Sequence, residues 1–354
     1  MSHGGDIYKY AKILECESDE IIDFSSNINC YDPQTSITLT NETITKYADF
    51  RYKELKSVIA QNYEVKKSQI ALFNGATSAI YELFRSIKQK EVYLYAPLYS
   101  EYEKAAIKAK KEIYKISRLG GEMNDDVWDE SIVVFVNPAT PDGTYYEKEE
   151  LDELFEMWIE RECTIIIDES FLEFEVLESV RSKINEYKKL YIIQSFSKFY
   201  SCAGVRIGAV FSNKKNIEKL DPTIWNISSL DAAFLQQRLS DEEFKAQAKE
   251  FHKQQKQELF DILENSNLFE QVFESDANFF LTKTQRSTEI FNHLLEHKIL
   301  VRRCFDFDYL DNSFLRFAVK DPFSHQKLQE AFSGLSHIEN VEHNQEVQDE
   351  TPLP

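Results

Sequence analysis

The sequence predicts an α/β protein in which a large domain carries a mainly parallel sheet and a smaller domain is α+β. The chain has 354 residues, which is long for one simple core and favours two domains. Short, continuous, β-branched apolar runs have the length and composition of buried strands. Amphipathic stretches of helical period separate these runs, an alternation typical of parallel sheets that are covered on both faces.

The strands of the large domain, expected to span residues 47–225, are predicted at the apolar runs. These runs are Ile70 to Phe73, Val92 to Ala96, Ile132 to Val136, Thr164 to Ile167, Leu190 to Gln194 and Ile207 to Phe211. The helices between them are predicted at Ala76 to Ser86, Tyr99 to Ala109 and Lys148 to Arg161.

The smaller domain is expected to span residues 226–340. It begins with a charged helical region over residues 231–265, broken near Ser240 and Asp241, either of which can cap the second part. Strands are then predicted at Phe279 to Thr282, Leu300 to Arg302 and Phe314 to Val319, and helices at Thr288 to His297 and Phe323 to Phe332. Residues 1–46 are expected to form an arm packed on this domain, with irregular structure over about the first 40 residues, and residues 341–354 a loose acidic tail.

The charge balance limits the partners. Lys and Arg number 41 against 61 Asp and Glu, for a formal net charge of −20. Such a surface repels nucleic acid and anionic membranes, so neither is expected as a partner. An anionic ligand would therefore need a local cluster of cationic side chains.

The cysteines and the N-terminus indicate the compartment. The five cysteines are odd in number and show no C-x-x-C spacing, which favours free thiols in a reducing compartment over disulfides or a metal site. The first residues lack a signal-peptide pattern, and no apolar run approaches the roughly 20 residues of a membrane span. We expect a soluble cytoplasmic protein without a bound metal.

The main chemical feature is Lys198, which follows the predicted strand Leu190 to Gln194. Parallel sheets present their sites at the carboxyl ends of strands, and a lysine shielded from water there can act as an amine nucleophile toward an aldehyde. Ser195, Ser197 and Arg206 offer two hydroxyls and a guanidinium for one phosphate. The alternative is a surface lysine with Arg206 in an ordinary ion pair.

Other residues favour the same chemistry. Asp168 ends an apolar strand, where a buried carboxylate needs a partner such as a protonated pyridine nitrogen. The Gly75, Ala76 and Thr77 backbone at a helix start can hold phosphate. Tyr99, which follows another strand, can stack on an aromatic ring. Each has an ordinary structural alternative, namely a capping aspartate, a turn glycine and a core tyrosine.

In order, these motifs resemble those of the aspartate-aminotransferase superfamily, the fold type I enzymes that depend on pyridoxal 5′-phosphate. Within it, the chain resembles most the threonine-phosphate decarboxylases of cobalamin biosynthesis, which are close to the histidinol-phosphate aminotransferases. The resemblance runs from residue 3 to about residue 335. The segments that carry it are His3-Gly4-Gly5, Asp23 to Asn29, Tyr47-Ala48-Asp49, Asn74-Gly75, Ser100-Glu101-Tyr102, Asn137-Pro138, Asp168 to Phe171, Ser197 to Tyr200 and Val301 to Cys304.

The resemblance implies roles for the cofactor-binding residues. Lys198 would carry the cofactor as a Schiff base, Asp168 would pair with the pyridine nitrogen and Tyr99 would stack on the ring. The cofactor phosphate would be held by Ala76, Thr77, Ser195, Ser197 and Arg206. Tyr47 would reach the same phosphate from the neighbouring subunit, which implies a homodimer with shared sites.

The resemblance also implies a substrate pocket. Arg316 matches the arginine that takes the substrate α-carboxylate, and His3, Asn27 and Arg302 match positions around the substrate phosphate. The alternative for Arg302 and its neighbour Arg303 is a surface ion pair with Asp306 or Asp308.

Two positions depart from the superfamily pattern. Thr140 stands where an asparagine usually bonds the ring oxygen of the cofactor, and Phe171 stands where aminotransferases commonly have a tyrosine. The ring oxygen would then have fewer donors and a differently tuned cofactor, although Thr140 can still donate one bond.

The resemblance implies decarboxylation of an O-phospho-L-amino acid, either L-threonine O-3-phosphate or L-serine O-phosphate, to the amine phosphate and CO₂. This reaction would supply the aminoalkyl-phosphate linker of cobalamin. One alternative is a histidinol-phosphate-type aminotransferase. The other is a regulatory protein with the same fold and no turnover.

Overall fold

The structure is a computed structural model that describes residues 4–31, 37–119 and 126–342, with side chains placed as far as residue 335. The predicted site residue His3, part of the arm and most of the acidic tail lie outside the described residues. Within the described ranges, no helix has both the length and the apolar character required to cross a membrane.

Strands and helices are numbered along the chain. The strands are β1 (Ile22–Asp23), β2 (Ile70–Phe73), β3 (Glu91–Ala96), β4 (Glu112–Ser117), β5 (Ile132–Val136), β6 (Thr164–Asp168), β7 (Leu190–Ser195), β8 (Gly208–Ser212), β9 (Gln271–Val272), β10 (Phe279–Lys283), β11 (Ile299–Leu300), β12 (Arg302–Arg303) and β13 (Phe314–Ala318). The helices are α1 (Ile7–Ile13), α2 (Asn41–Thr45), α3 (Lys53–Asn62), α4 (Gly75–Ser86), α5 (Glu101–Lys108), α6 (Lys148–Glu160), α7 (Lys214–Ile217), α8 (Ser229–Leu239), α9 (Glu242–Asn265), α10 (Ser287–Glu296) and α11 (Pro322–Glu342).

The main sheet has seven strands in the order β2-β8-β7-β6-β5-β3-β4. All pairs are parallel except those of β8, which runs antiparallel to β2 and to β7. One apolar cluster, around Trp158, covers one face, and a second, around Leu83, covers the other. The predicted α/β class is confirmed. The edge strand β4 was not predicted, because most of its residues are only half-buried and it lacks a continuous apolar run.

The smaller sheet is antiparallel, in the order β12-β13-β10-β9. The predicted break in the long helical region is confirmed, since the Asp241 side chain caps α9 by accepting from the Phe244 N–H at 2.9 Å. The single strand predicted from Leu300 to Arg302 is wrong. The segment forms two short strands instead, of which β11 pairs with β1 and β12 pairs with β13.

The prediction that the first residues are irregular is wrong for residues 7–13, which form α1. This helix has only seven residues, too few to show a helical period and too short to be stable alone. Tertiary contacts hold it, since Ala11 belongs to the apolar cluster of Leu294 and Phe317, and Tyr10 meets Phe291 edge-on at 6.0 Å between ring centroids.

Candidate active site

A cavity of about 300 Å³ lies between the carboxyl ends of the main-sheet strands, the small sheet and the N-terminal segment. It gathers most of the predicted site residues. Those that line it are Asn27, Ala76, Thr77, Tyr99, Thr140, Asp168, Ser195, Ser197, Lys198, Arg206, Arg302 and Arg316. We call the part formed by Ala76, Thr77, Tyr99, Asp168, Phe171, Ser195, Ser197, Lys198 and Arg206 the cofactor end, and the part formed by Asn27, Arg302, Asp306 and Arg316 the substrate end.

Lys198 lies just beyond β7, as predicted from its position in the sequence. Burial, together with the nearby Arg316 and Arg206 charges, lowers the pKa of its ammonium group to about 8 against the opposing effect of Asp168. Part of the population is therefore a neutral amine near neutral pH, which is the nucleophilic form.

Asp168 lies at the end of β6 and is 6% exposed. Its Oδ1 accepts from the Ser170 N–H at 2.9 Å and the Ser170 hydroxyl at 2.5 Å, and its Oδ2 accepts from the Tyr102 hydroxyl at 2.7 Å. Burial raises the pKa of this carboxyl, while the three hydrogen bonds and Lys198 act against that rise. A cationic partner in the cavity would keep Asp168 ionised.

Sequence reasoning missed the roles of Ser170 and Tyr102. Ser170 stands two residues after Asp168, a spacing at which a side chain commonly bonds a neighbouring backbone N–H, so this signal was available. Tyr102 is separated from Asp168 by 66 residues and meets it only because α5 packs against α4, β3 and β4 on one face of the sheet. No local pattern could have indicated that contact.

The start of α4 forms one wall of the cofactor end. The N-cap residue Asn74 makes no side-chain capping bond, so backbone N–H groups at the helix start lack a side-chain acceptor. Gly75 has a φ of +77°, and a Cβ there would come within 2.6 Å of the Arg206 guanidinium. A Cβ on Gly208 would come within 2.4 Å of the Ala76 nitrogen. Both glycines therefore allow Arg206 and β8 to approach the helix start.

The remaining predicted residues of the cofactor end also face the cavity. Ser195 and Ser197 lie 2.9 Å apart between their hydroxyl oxygens. Tyr99 lies 3.4 Å from Thr77 between hydroxyl oxygens. Phe171 lines the cavity and packs edge-to-face on Phe279, with 5.1 Å between ring centroids.

Arg316, on β13, is 5% exposed. Its Nη1 donates to the Thr140 hydroxyl at 3.1 Å and its Nη2 to the Ser25 carbonyl at 3.0 Å, while the buried Nε has no hydrogen-bond partner among the described residues. Burial lowers the pKa of Arg316 to about 10. No carboxylate in the described part of the chain forms an ion pair with it, an arrangement that suits an anionic ligand.

Arg302 pairs with Asp306, with 2.7 Å between Nη2 and Oδ1, as the alternative interpretation expected. That interpretation is wrong about the surface, because the two side chains are 9% and 13% exposed and both line the cavity. Nη1 of Arg302 also donates to the Arg303 carbonyl at 2.6 Å. Asp306 is thus a cavity residue that the sequence alone did not identify as such.

The N-terminal segment completes the substrate end. Gly4 and Asn27 line the cavity, and the Gly5 N–H donates to the Ser25 hydroxyl at 2.7 Å. His3 precedes Gly4 but lies outside the described residues. Tyr47 does not line the cavity of its own chain. Its side chain is 82% exposed and stacks on Trp225, with 4.6 Å between ring centroids.

The cofactor end fits pyridoxal 5′-phosphate. A carboxylate suits the pyridine nitrogen, and an amine of lowered pKa suits the aldehyde. The uncapped helix start, two serine hydroxyls and a guanidinium suit a phosphate.

Comparisons with known proteins indicate the family. The family described as "Aminotransferase class I and II" matches residues 19–335. The adenosylcobalamin biosynthesis bifunctional protein CobDQ of Leptospira interrogans is 30% identical over 94% of this chain, which spans only 41% of that protein. The threonine-phosphate decarboxylase of Salmonella typhimurium is 24% identical over 92% of this chain and 94% of its own.

A solved structure shows similarity to an enzyme of a different reaction. The histidinol-phosphate aminotransferase of Clostridium acetobutylicum has a TM-score of 0.82 and 29% identity, and the match covers 90% of this chain and 100% of that one. Phosphate-bearing substrates thus appear in the names of relatives with two different reactions.

Proposed function

The chain belongs to the class I and II aminotransferase family and takes pyridoxal 5′-phosphate as cofactor, and on that premise we propose that it decarboxylates an O-phospho-L-amino acid. The proposed substrate is L-threonine O-3-phosphate or L-serine O-phosphate. The products are CO₂ and the amine phosphate, which would serve as the linker of cobalamin.

The observation that carries the proposal is the pair of arginines at the substrate end. Arg316 is buried and has no carboxylate partner among the described residues, and Arg302 lines the same cavity. A phospho-amino acid has two anionic groups, and guanidinium forks suit both a carboxylate and a phosphate. In a protein of net charge −20, such cations are a local exception.

The cofactor supplies an electron sink for the negative charge that develops on Cα when a bond to that carbon breaks. Lys198 can take or deliver a proton there, because its pKa of about 8 lies near the working pH. Asp168 would hold the proton on the ring nitrogen, and Tyr99 would position the ring. Arg316 would fix the carboxylate, and its direction relative to the ring would decide between loss of CO₂ and loss of a proton.

The second candidate is a histidinol-phosphate-type aminotransferase, which the likeness to the Clostridium enzyme favours. The position of Phe171 in the cavity, where aminotransferases commonly have a tyrosine, supports the decarboxylase instead. A regulatory protein without turnover is the remaining alternative.

The deciding experiment is a product assay on the purified protein loaded with cofactor. The decarboxylase is expected to release CO₂ and amine phosphate from a phospho-amino acid in equal amounts. Amino transfer from histidinol phosphate to a 2-oxo acid, without CO₂, would contradict the proposal and support the second candidate. Absence of both products would support the regulatory protein. The two phospho-amino acids differ by one methyl, which a pocket discriminates by roughly 10- to 200-fold.

We also propose a homodimer in which Tyr47 reaches the cofactor phosphate of the other subunit. Tyr47 and Trp225 stack as an exposed pair, and Phe50 and Ile224 nearby in the sequence are 54% and 63% exposed. An exposed aromatic and aliphatic patch of this kind favours contact with a second copy. A fully active monomer in sedimentation experiments would rule the dimer out.

A further inference from the structure

The substrate end contains a carboxylate where an anionic group of the substrate is proposed to bind. Asp306 lines the cavity beside Arg302, and the two side chains are only 13% and 9% exposed. Two N–H groups of Arg302 are already used inside the chain, one by the Asp306 carboxylate and one by the Arg303 carbonyl. Arg316 differs, because no described carboxylate pairs with it.

The charges that line the described cavity show the consequence. At the cofactor end, Asp168, Lys198 and Arg206 would be engaged by the cofactor. The substrate end then offers the positive charges of Arg302 and Arg316 and the negative charge of Asp306. Arg316 can balance the substrate carboxylate, but Arg302 is already balanced. A phosphate must therefore displace the Asp306 carboxylate or bind against its like charge.

We propose that Asp306 is a specificity-determining residue that competes with the distal anion of the ligand for Arg302. A ligand that is also held at Arg316 presents its phosphate at a high effective concentration and can displace Asp306, whereas a free anion cannot. Small anions such as inorganic phosphate are thereby kept from Arg302. This inference rests on the proposed function for the identity of the distal group as a phosphate.

The same competition assists release of the product. After CO₂ is lost, the amine phosphate no longer has the carboxylate that Arg316 holds. The product is then held at Arg302 through its phosphate alone and, like a free anion, it no longer outcompetes Asp306, which pairs with Arg302 again.

The test compares the wild-type holoenzyme with Asp306→Asn, which keeps an oxygen that can accept from Arg302 but removes the charge. Cofactor loading fills the phosphate site at the cofactor end. Titration calorimetry with inorganic phosphate is expected to show at least tenfold tighter binding to the variant, or 1.4 kcal/mol. L-Alanine, which has a carboxylate and no phosphate, is expected to bind both proteins within about twofold of one another.

The matched control is Asp308→Asn. Asp308 lies two residues further on, pairs with Lys115 at 2.7 Å and does not line the cavity. It is expected to leave phosphate binding unchanged, which separates competition in the cavity from the general loss of a negative charge. Asp306→Ser provides a second variant without the charge if Asp306→Asn folds poorly.

Unchanged or weaker phosphate binding in the variants would overturn the inference and would show that Asp306 instead holds Arg302 in place for the ligand. The result is independent of the reaction. Tighter phosphate binding by a protein that does not decarboxylate phospho-amino acids would keep the inference and reject the proposed function. Decarboxylase activity together with unchanged phosphate binding in the variant would keep the proposed function and reject the inference.

Discussion

The cofactor end and the substrate end of the cavity are built in different ways. At the cofactor end, the key groups follow neighbouring strands of one sheet, and the Asp168 carboxylate accepts three hydrogen bonds from the chain itself. At the substrate end, the arginines come from the small sheet and meet the N-terminal segment, and the Nε of Arg316 has no described partner. The cofactor end is therefore suited to a cofactor that remains bound. The substrate end keeps a positive charge available for a substrate that binds and dissociates.

The largest expected effect falls on the cofactor end. Lys198→Ala removes the amine that would attach the cofactor, so covalent attachment should be lost and turnover should fall by at least about 10²- to 10⁴-fold. Visible absorption of the loaded protein and peptide mapping after borohydride reduction measure the attachment. Reductive labelling of a different lysine in the wild-type protein would contradict the assignment.

Asp168→Asn tests the other charged group of that end. The variant should still bind the cofactor, because the phosphate contacts remain, but activity should fall by about 10²- to 10³-fold, since the ring nitrogen is no longer kept protonated. Cofactor binding by absorption and kcat by the product assay separate the two effects. Unchanged activity would mean that another carboxylate serves the nitrogen.

The substrate end should respond according to ligand chemistry. Arg302→Ala should weaken the binding of a phosphorylated substrate by at least a few kcal/mol, as the loss of a buried charged hydrogen bond does. The binding of a non-phosphorylated analogue should hardly change. Arg316→Ala should instead weaken the binding of both substrates, because both have the carboxylate. Values of kcat/KM for a matched pair of substrates provide the measurement. An equal loss for both substrates in Arg302→Ala would show that this residue does not recognise the phosphate.

The smallest effect is expected at Tyr102. Tyr102→Phe removes one donor to the ionised Asp168, so the pKa of that carboxyl should rise further, and activity should be lost at a higher pH as the pH falls. A hydrogen bond to a charged group contributes about 1.5–3 kcal/mol, or roughly 10- to 150-fold. The pH profile is the measurement, with Tyr95→Phe as the control, since the Tyr95 hydroxyl accepts from Trp158 in the core. If activity were lost at the same acidic pH in Tyr102→Phe and Tyr95→Phe, this role for Tyr102 would be excluded.

This contrast also explains how far the sequence could predict the site. Lys198 and Asp168 come at or just after the ends of continuous apolar strands, so local patterns predict that both lie at the same edge of the sheet. Arg302 and Asp306 are four residues apart, and their pairing was among the alternatives that the sequence left open. Their burial was not, because it arises from the packing of Phe307 and the N-terminal segment around them, which no local pattern records.

The fold was predictable to a similar degree. Central strands such as β5 are apolar throughout and were located within a residue, whereas the edge strand β4 and the short α1 depend on tertiary contacts for their formation. The course of the chain through Leu300 to Arg302, which serves two sheets, likewise depends on partners that are distant in the sequence.

Helix α4 begins without a side-chain cap, and this has a consequence for the lifetime of the protein. A phosphate bound at that helix start completes the first turn, so the free energy of cofactor binding adds to the free energy of unfolding by mass action. At a free cofactor concentration of 100 Kd, the gain is about 2.7 kcal/mol. Vitamin B6 supply would thus control the abundance of this protein in the cell as well as its catalytic state.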